Sequence, residues 1–462
     1  MKPGKLMSTN PLETMPVGKL MVRLAIPSVC AQLISILYSV IDRVYLGHIA
    51  GAGLESLSGV GVVVPVVTGI NAFSNLLGMG GAPLAAIALG KKDQKLADRI
   101  MWNTLCFSLI IAGLLTICLL IFKNLILTAV GADASIYRYA SEYYVICCLG
   151  SVFSMGTLVI NMFLTTQGKN KVSMMIVCSG AIFNIIFDPV FIFGLKMGIK
   201  GAALVTVISQ MGTSVIGMKF LLSKNSILRV TPERLNFRLL GQICRLGFAQ
   251  FFATSTESLV NVVYNKQLLR CGSAEYIAVF SVIFSFSQIL LLPLNGIMQG
   301  AQPVISYNFG ARNTNRLLTA MKYCILFGTI FEFSGTVLVE IFARPMFVFF
   351  TDDKHLIEIG ILPLRVFILG RLFGGVQWSM QTIHRATGEA FRAIIIPVFR
   401  KIVLIVPLCY ILPAITGLGV IAVVLVEPVS DTLSQLFTVC IFLPFYKKVK
   451  RQNREEVSLQ EL

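Results

Sequence analysis

Charge is what this chain has least of. Asp, Glu, Lys and Arg make up 13% of its 462 residues and 56% are hydrophobic, whereas a soluble domain carries about a quarter charged residues. That scarcity excludes an ordinary soluble chain of several linked domains. Histidine is rarer still: only His48, His355 and His384 occur, all at expected loops or helix ends. No HExxH, GxSxG or P-loop pattern appears, so nothing here argues for an enzyme. The eleven cysteines contain no CxxC pair and nearly all lie within apolar runs. Metal or disulfide frameworks need such spacing or an exposed setting, so these thiols read as small buried hydrophobes. No cofactor is implied.

What is present instead is a succession of apolar runs of 20 or more residues. Read between Gly, Pro and charge breaks, they place twelve membrane helices. Six lie near 24–47, 57–84, 100–122, 136–166, 172–194 and 200–222, and six more near 241–269, 277–305, 317–342, 357–383, 393–414 and 418–446. The expected fold class is an all-α membrane protein of twelve transmembrane helices in two pseudo-symmetric six-helix bundles. Its parts are a tail over 1–23, a first lobe over 24–222, a linker over 223–240, a second lobe over 241–446 and a charged tail over 447–462.

The net charge of +17 is spread in a way that speaks against nucleic acid. Cations crowd alternate loops: Lys91, Lys92, Lys95 and Arg99 in one, Arg229, Arg234 and Arg238 in another, Lys447, Lys448 and Lys450 at the end. The intervening loops hold few, such as Lys123, Lys196 and Arg344. The rich side is cytoplasmic by the positive-inside rule, with both termini inside, as an even number of spans also requires. The first 23 residues are too polar for a cleavable signal peptide. A basic, short-looped chain of this kind suits a bacterial inner membrane.

The halves repeat. Gly90-Lys91-Lys92-Asp93 and Gly310-Ala311-Arg312-Asn313 are 220 residues apart, and so are Gly168 and Gly388. Six helices per half make the repeat parallel. Paired bundles of this kind are a transporter layout, with the substrate path between them.

Carboxylates stand inside the apolar runs, where a charge costs at least a few kcal/mol and usually has a function. Asp42, Asp188 and Thr206 each lie five or six residues from the same membrane face, roughly 8–10 Å deep at ~1.5 Å per residue. Asn184 precedes Asp188 by one turn on the same helix face. Pro189 frees carbonyls in the turn before it. Two carboxylates, an amide oxygen and a hydroxyl at one level suit Na⁺, or a proton shared between acids. In the second half Glu257, Glu332, Glu427 and Asp431 stand inside the bilayer, with Arg371 able to neutralise one of them. Left unpaired, they would draw a cationic substrate into the cavity.

The run Asn184-Ile185-Ile186-Phe187-Asp188-Pro189-Val190-Phe191-Ile192-Phe193-Gly194, with Gly198-Ile199-Lys200-Gly201 after it, resembles the MATE family, the multidrug and toxic compound extrusion transporters. Pro27, Asp42 before Gly47, and Pro303-Val304-Ile305-Ser306-Tyr307-Asn308-Phe309-Gly310 extend the likeness over the whole chain. The resemblance implies two lobes forming a V and export of amphipathic organic cations by Na⁺ or H⁺ antiport. It implies a first-lobe cation site at Asp42, Asn184, Asp188 and Thr206, holding Na⁺ as the metal if coupling is to sodium. It also implies a helix-bending role for Pro27. Glu257 matches the acid of a second-lobe site in one branch, yet the partner aspartate of that branch falls near Val376 or Gln377 here. Coupling is therefore expected in the first lobe. The expected partners are small amphipathic cations and the bilayer, with no nucleic acid and no obligate protein partner. A lipid or lipid-linked oligosaccharide flippase of the same superfamily is the alternative; its cavity would favour cations over acids.

Overall fold

The computed structural model describes residues 11–49, 53–132, 136–272, 274–350 and 354–460. The ends of both expected tails, 1–10 and 461–462, lie outside them. Among the described residues every regular element is helical. In the first half the spans are α1 (Val17–Gly47), α2 (Gly53–Gly90), α3 (Gln94–Ile121), α4 (Tyr137–Thr166), α5 (Asn170–Gly194) and α6 (Ile199–Leu222). In the second they are α7 (Phe237–Cys271), α8 (Ala274–Gly310), α9 (Thr314–Phe350), α10 (Lys354–Leu369 continuing to Ala386), α11 (Ala390–Thr416) and α12 (Val420–Gln460).

 Ten of the twelve are long and apolar enough to cross a membrane by length and composition alone. The other two fall short for different reasons. Arg245, Glu257, Lys266 and Arg270 interrupt the apolar content of α7. In α10 the 3₁₀ turn Gly370–Phe373 separates Lys354–Leu369 from Gly374–Ala386, pieces of 16 and 13 residues. Both lie alongside apolar spans, α7 against α2 and α11, and α10 against α9 and α12. The described residues thus form twelve long helical segments in the expected order, ten of them apolar enough to cross a membrane.

The internal repeat is built from local chemistry. Lys92 and Arg312 both take a left-handed backbone, at φ 61° and 55°. The side chain of the next residue then caps the following helix: Asp93 accepts from the Leu96 amide at 3.0 Å, and Asn313 from the Arg316 amide at 3.1 Å. Gly168 and Gly388 close α4 and α10 at φ 72° and 77°, a conformation that glycine adopts without a Cβ penalty.

The halves are joined at the lysine- and arginine-rich end. Gly90 of α2 lies on the Tyr307 carbonyl of α8, and Gly310 of α8 lies reciprocally on the Ile87 carbonyl of α2. Gly80 and Gly247 bring α2 and α7 together in the same way, and a Cβ at any of these four would collide with backbone. Lipid offers helices no hydrophobic drive to associate, so such close backbone approach supplies the packing energy. One apolar core, including Leu20, Leu77, Phe163, Leu294, Ile305 and Ile383, draws on both halves. Farther from this end the cores separate: Val260, Phe286, Phe347 and Val423 pack within the second half, and Leu46, Val60 and Ile192 within the first. The bundles meet at the basic end and part toward the other.

Two short segments fasten this end. Pro11–Thr14 forms one helical turn before α1, with Leu12 buried. Arg316 of α9 donates to the Leu12 and Met15 carbonyls at 3.2 and 2.8 Å, and the Tyr307 hydroxyl donates to Glu13 at 3.3 Å. The stretch between α6 and α7 is held to the first half. Gln167 Oε1 accepts from the Ile227 and Leu228 amides at 2.7 and 3.1 Å, Asp98 Oδ1 from the Arg229 amide at 2.8 Å, and Asn103 Oδ1 from the Asn236 amide at 2.7 Å. At the other terminus α12 stays helical through Gln460.

Candidate functional site

Near the end where the bundles part, α1, α5 and α6 bring Asp42, Asn184, Asp188 and Thr206 into one neighbourhood. Asp188 is 0% exposed and Asp42 is 9% exposed. Among the described residues, neither oxygen of Asp188 has a hydrogen-bond partner, and Oδ1 of Asp42 has none. A buried polar atom left unmade in this way costs about 1–3 kcal/mol, more for a charged group. Asp42 and Asp188 are close enough for each charge to bear on the other, and the Tyr38 phenol of α1 lies near both.

The neutral members are ordered by their neighbours. Asn184 Nδ2 donates to the Gly180 carbonyl at 2.8 Å, which leaves Oδ1 to accept from Thr206 Oγ1 at 3.4 Å. Thr206 Oγ1 also lies 3.4 Å from the Tyr38 hydroxyl. Tyr38 escaped the sequence reading because nothing in a sequence shows that α1 faces α6 at this height. Immediately past Asp188 the helix widens into a π turn, Val190–Gly194, a distortion that recurs at functional sites. Pro189 has no N–H for the Ile185 carbonyl four residues back. That carbonyl accepts from the Tyr45 hydroxyl at 3.4 Å. The proline was expected to leave this carbonyl free; Tyr45 partly occupies it. Pro27 sits inside α1, which runs as one helix from Val17 to Gly47.

The second half holds a cavity of about 370 Å³. Glu257, Glu332, Glu427 and Asp431 all line it, and so do Arg371, Arg400 and Lys401. Arg371 Nε donates to Glu332 Oε1 at 2.7 Å, the pairing the sequence allowed for. Arg400 donates to Glu427 Oε1 at 2.5 Å and to Asp431 Oδ1 at 2.6 Å. Lys401 Nζ binds Glu257 and the Ala253 carbonyl. Unpaired acids, as a lure for a cationic substrate, are thus not what the cavity presents. Arg400 and Lys401 were the missed residues. Their signal was available: two adjacent cations inside the apolar run 393–414, far from any loop. Both sit on a second π-helical stretch, Phe399–Ile405.

A smaller, uncharged cavity of about 200 Å³ lies between the halves nearer the basic end. It is lined by Gln32, Asn161, Met162, Gln299 and Gln302.

Comparison with known proteins places these features in a family. The MatE family profile matches residues 27–190 and 249–411, one segment in each half. The chain belongs to the MatE family. Among relatives, the multidrug export protein MepA of Staphylococcus haemolyticus (strain JCSC1435) is 25% identical over 453 residues, covering 97% of each chain. MepA of Staphylococcus aureus (strain NCTC 8325 / PS 47) is 25% identical over 413 residues, covering 88% of this chain and 90% of the relative. Among solved structures, a crystal structure of MATE in complex with MaD3S superposes with a TM-score of 0.90 at 24% identity, covering 97% of this chain and 100% of that one. The outward-facing conformation of a multidrug resistance MATE family transporter of the MOP superfamily gives 0.89 at 24%, with the same coverage. These two establish the MATE fold, two helical lobes, for this chain.

Proposed function

We propose that this protein is a secondary antiporter of a bacterial cytoplasmic membrane, with both termini cytoplasmic. It exports amphipathic organic cations in exchange for Na⁺ or H⁺ and is coupled through Asp42, Asn184, Asp188 and Thr206. The observation that carries this reading is Asp188: a fully buried carboxylate with neither oxygen hydrogen-bonded among the described residues, beside a second acid and an ordered amide and hydroxyl. A carboxylate in that position is stabilised by a cation or by its own protonation. Its donor set, two carboxylates with Asn184 Oδ1 and Thr206 Oγ1, fits Na⁺, and the same pair of acids can share one proton. Relatives named as multidrug export proteins support the transported class.

With the basic end taken as cytoplasmic, the bundles are shut toward the cytoplasm and apart on the other side, so the cavity in the second half faces outward. Loading the first-half site and loading a drug then favour opposite arrangements of the bundles, and no shared atoms are required. The three cations in the second-half cavity are each bonded to acids, which leaves little for the diphosphate of a lipid-linked sugar to bind.

Ethidium efflux from vesicles under an imposed Na⁺ gradient, compared with an imposed pH gradient, tests the proposal. One gradient drives efflux in the wild type. Asp188→Asn inserts normally and abolishes the driven efflux. Normal pumping by Asp188→Asn would refute the coupling site, and no gradient-driven efflux in the wild type would refute antiport.

A further inference from the structure

Cations at the basic end differ in what they are bonded to. Arg99 holds Glu233 at 2.5 Å, Arg392 holds Glu389 at 3.0 Å, and Arg316 reaches the Leu12 and Met15 carbonyls. Arg23 of α1, Lys169 just ahead of α5 and Lys171 in its first turn make no ion pair among the described residues. Arg23 Nη1 donates to Met15 Sδ at 3.4 Å, and a thioether is a weak acceptor. All three cations line one groove of about 450 Å³, and no acid among the described residues lines it with them. Glu13, the acid of the amino-terminal turn, is bonded to Tyr307 and does not line the groove.

The groove forms where four pieces of chain meet. Leu12 of the amino-terminal turn, Arg23 and Ile26 of α1, Lys169 and Lys171 at the α4–α5 junction, and Ile227 beyond α6 all line it. Away from the cations it runs into exposed apolar surface. Ile26 is 58% exposed, and Leu33 and Leu37 continue the same face of α1 in the open. On α5, Lys171 shares a face with Met175 and Ile182, and both of these apolar side chains are exposed. The two helices pack side by side. Each therefore carries a cation at its basic end and an apolar stripe leading away along the span. Long basic side chains lay their stems on such surface and hold the charge at the interface. A free phosphate would use the cations and leave the stripe bare; an anionic amphiphile uses both.

We propose that this groove binds an anionic phospholipid, its phosphate among Arg23, Lys169 and Lys171 and an acyl chain along the exposed stripe of α1 and α5. A guanidinium offers phosphate two parallel N–H donors, and the lysines add point charges. Basic pockets between membrane helices on the cytoplasmic side are where acidic headgroups settle. The lipid meets the amino-terminal turn at Leu12 and the stretch after α6 at Ile227, so it fastens the same end that the glycine seam closes. None of the six groove residues lines the second-half cavity, the uncharged cavity between the halves or the Asp42–Asp188 cluster. The site is thus separate from the transported species and from the ion that drives it.

Native mass spectrometry of the full chain in detergent tests it, with palmitoyl-oleoyl phosphatidylglycerol or the phosphatidylcholine of the same chains added. The wild type is expected to retain phosphatidylglycerol in preference to phosphatidylcholine. Each of Arg23→Gln, Lys169→Gln and Lys171→Gln is expected to weaken that retention about fivefold, the contribution of one cation to an acidic headgroup. A control protein carrying Lys447→Gln, Lys448→Gln and Lys450→Gln loses three exposed cations of the same end outside the groove, and is expected to retain the lipid as the wild type does. Equal loss in that control would make the attraction diffuse and overturn the site. Equal retention of the two lipids by the wild type would overturn recognition of charge. Displacement of phosphatidylglycerol by inorganic phosphate at equal concentration would make the occupant a free anion and overturn the lipid. The last two comparisons use no substitution, so a poorly folding groove variant leaves them intact.

Discussion

Single residues in this protein divide into acids that have a partner and acids that do not. Glu332 and Asp188 are equally buried, yet Glu332 has Arg371 at 2.7 Å and Asp188 has no hydrogen-bond partner among the described residues. Removing one member of a buried pair leaves the other uncompensated and costs about 3–5 kcal/mol. Glu332→Gln is therefore expected to lower the melting temperature of the detergent-solubilised protein sharply, and Glu332→Gln with Arg371→Met is expected to recover much of the loss. Asp188→Asn has no partner to strand and is expected to melt at or above the wild-type temperature. Equal losses in the single and double variants would mean that the pair is not what stabilises this part of α9 and α10.

At the level of helices, glycine spacing does what apolar side chains do in a soluble core. Gly247→Val puts a branched Cβ where the Leu76 carbonyl lies. The expected result is a protein that inserts but cannot bring α7 onto α2. Spin labels at Lys92→Cys and Arg312→Cys would then sit several ångströms farther apart than in the parent; an unchanged distance would show that the seam tolerates bulk. Most helices were readable from sequence because bilayer thickness and charge breaks fix their length and ends. The turn chemistry at Lys92 and Arg312 was readable as a repeat because both need the same cap. Asp42, Asn184, Asp188 and Thr206 could be grouped because depth follows from rise per residue. What depth does not give is which helix faces which, so Tyr38 and the Tyr45 hydroxyl on the Ile185 carbonyl stayed hidden. Arg400 and Lys401 were hidden for another reason. Cations were read as loop markers, and two inside a span carry no topology signal, although their cost in hydrocarbon marks them for a role.

Across the whole molecule, the closed end is fastened by contacts that cross from one half to the other. Arg316 of α9 reaches carbonyls at Leu12 and Met15, ahead of α1, so the amino-terminal turn straps the halves together. Arg316→Ala removes those donors and leaves the capping amide of residue 316 in place. The strap should loosen, and proteolysis between Pro11 and Val17 should quicken while α1 to α12 stay protected. Cleavage at the wild-type rate would mean that Leu12 alone holds the turn.

The stretch between α6 and α7 carries a consequence for how the protein is made. Its amides at Ile227, Leu228, Arg229 and Asn236 are all engaged by side chains of α3 and by Gln167 beyond α4, so it belongs to what precedes it. On the ribosome, the first half together with this trailing strand has all the partners it needs before α7 is translated. The peptide bond between Asn236 and Phe237 then serves mainly to keep two finished pieces at high effective concentration. A gene divided at that point would still encode everything that the glycine seam requires.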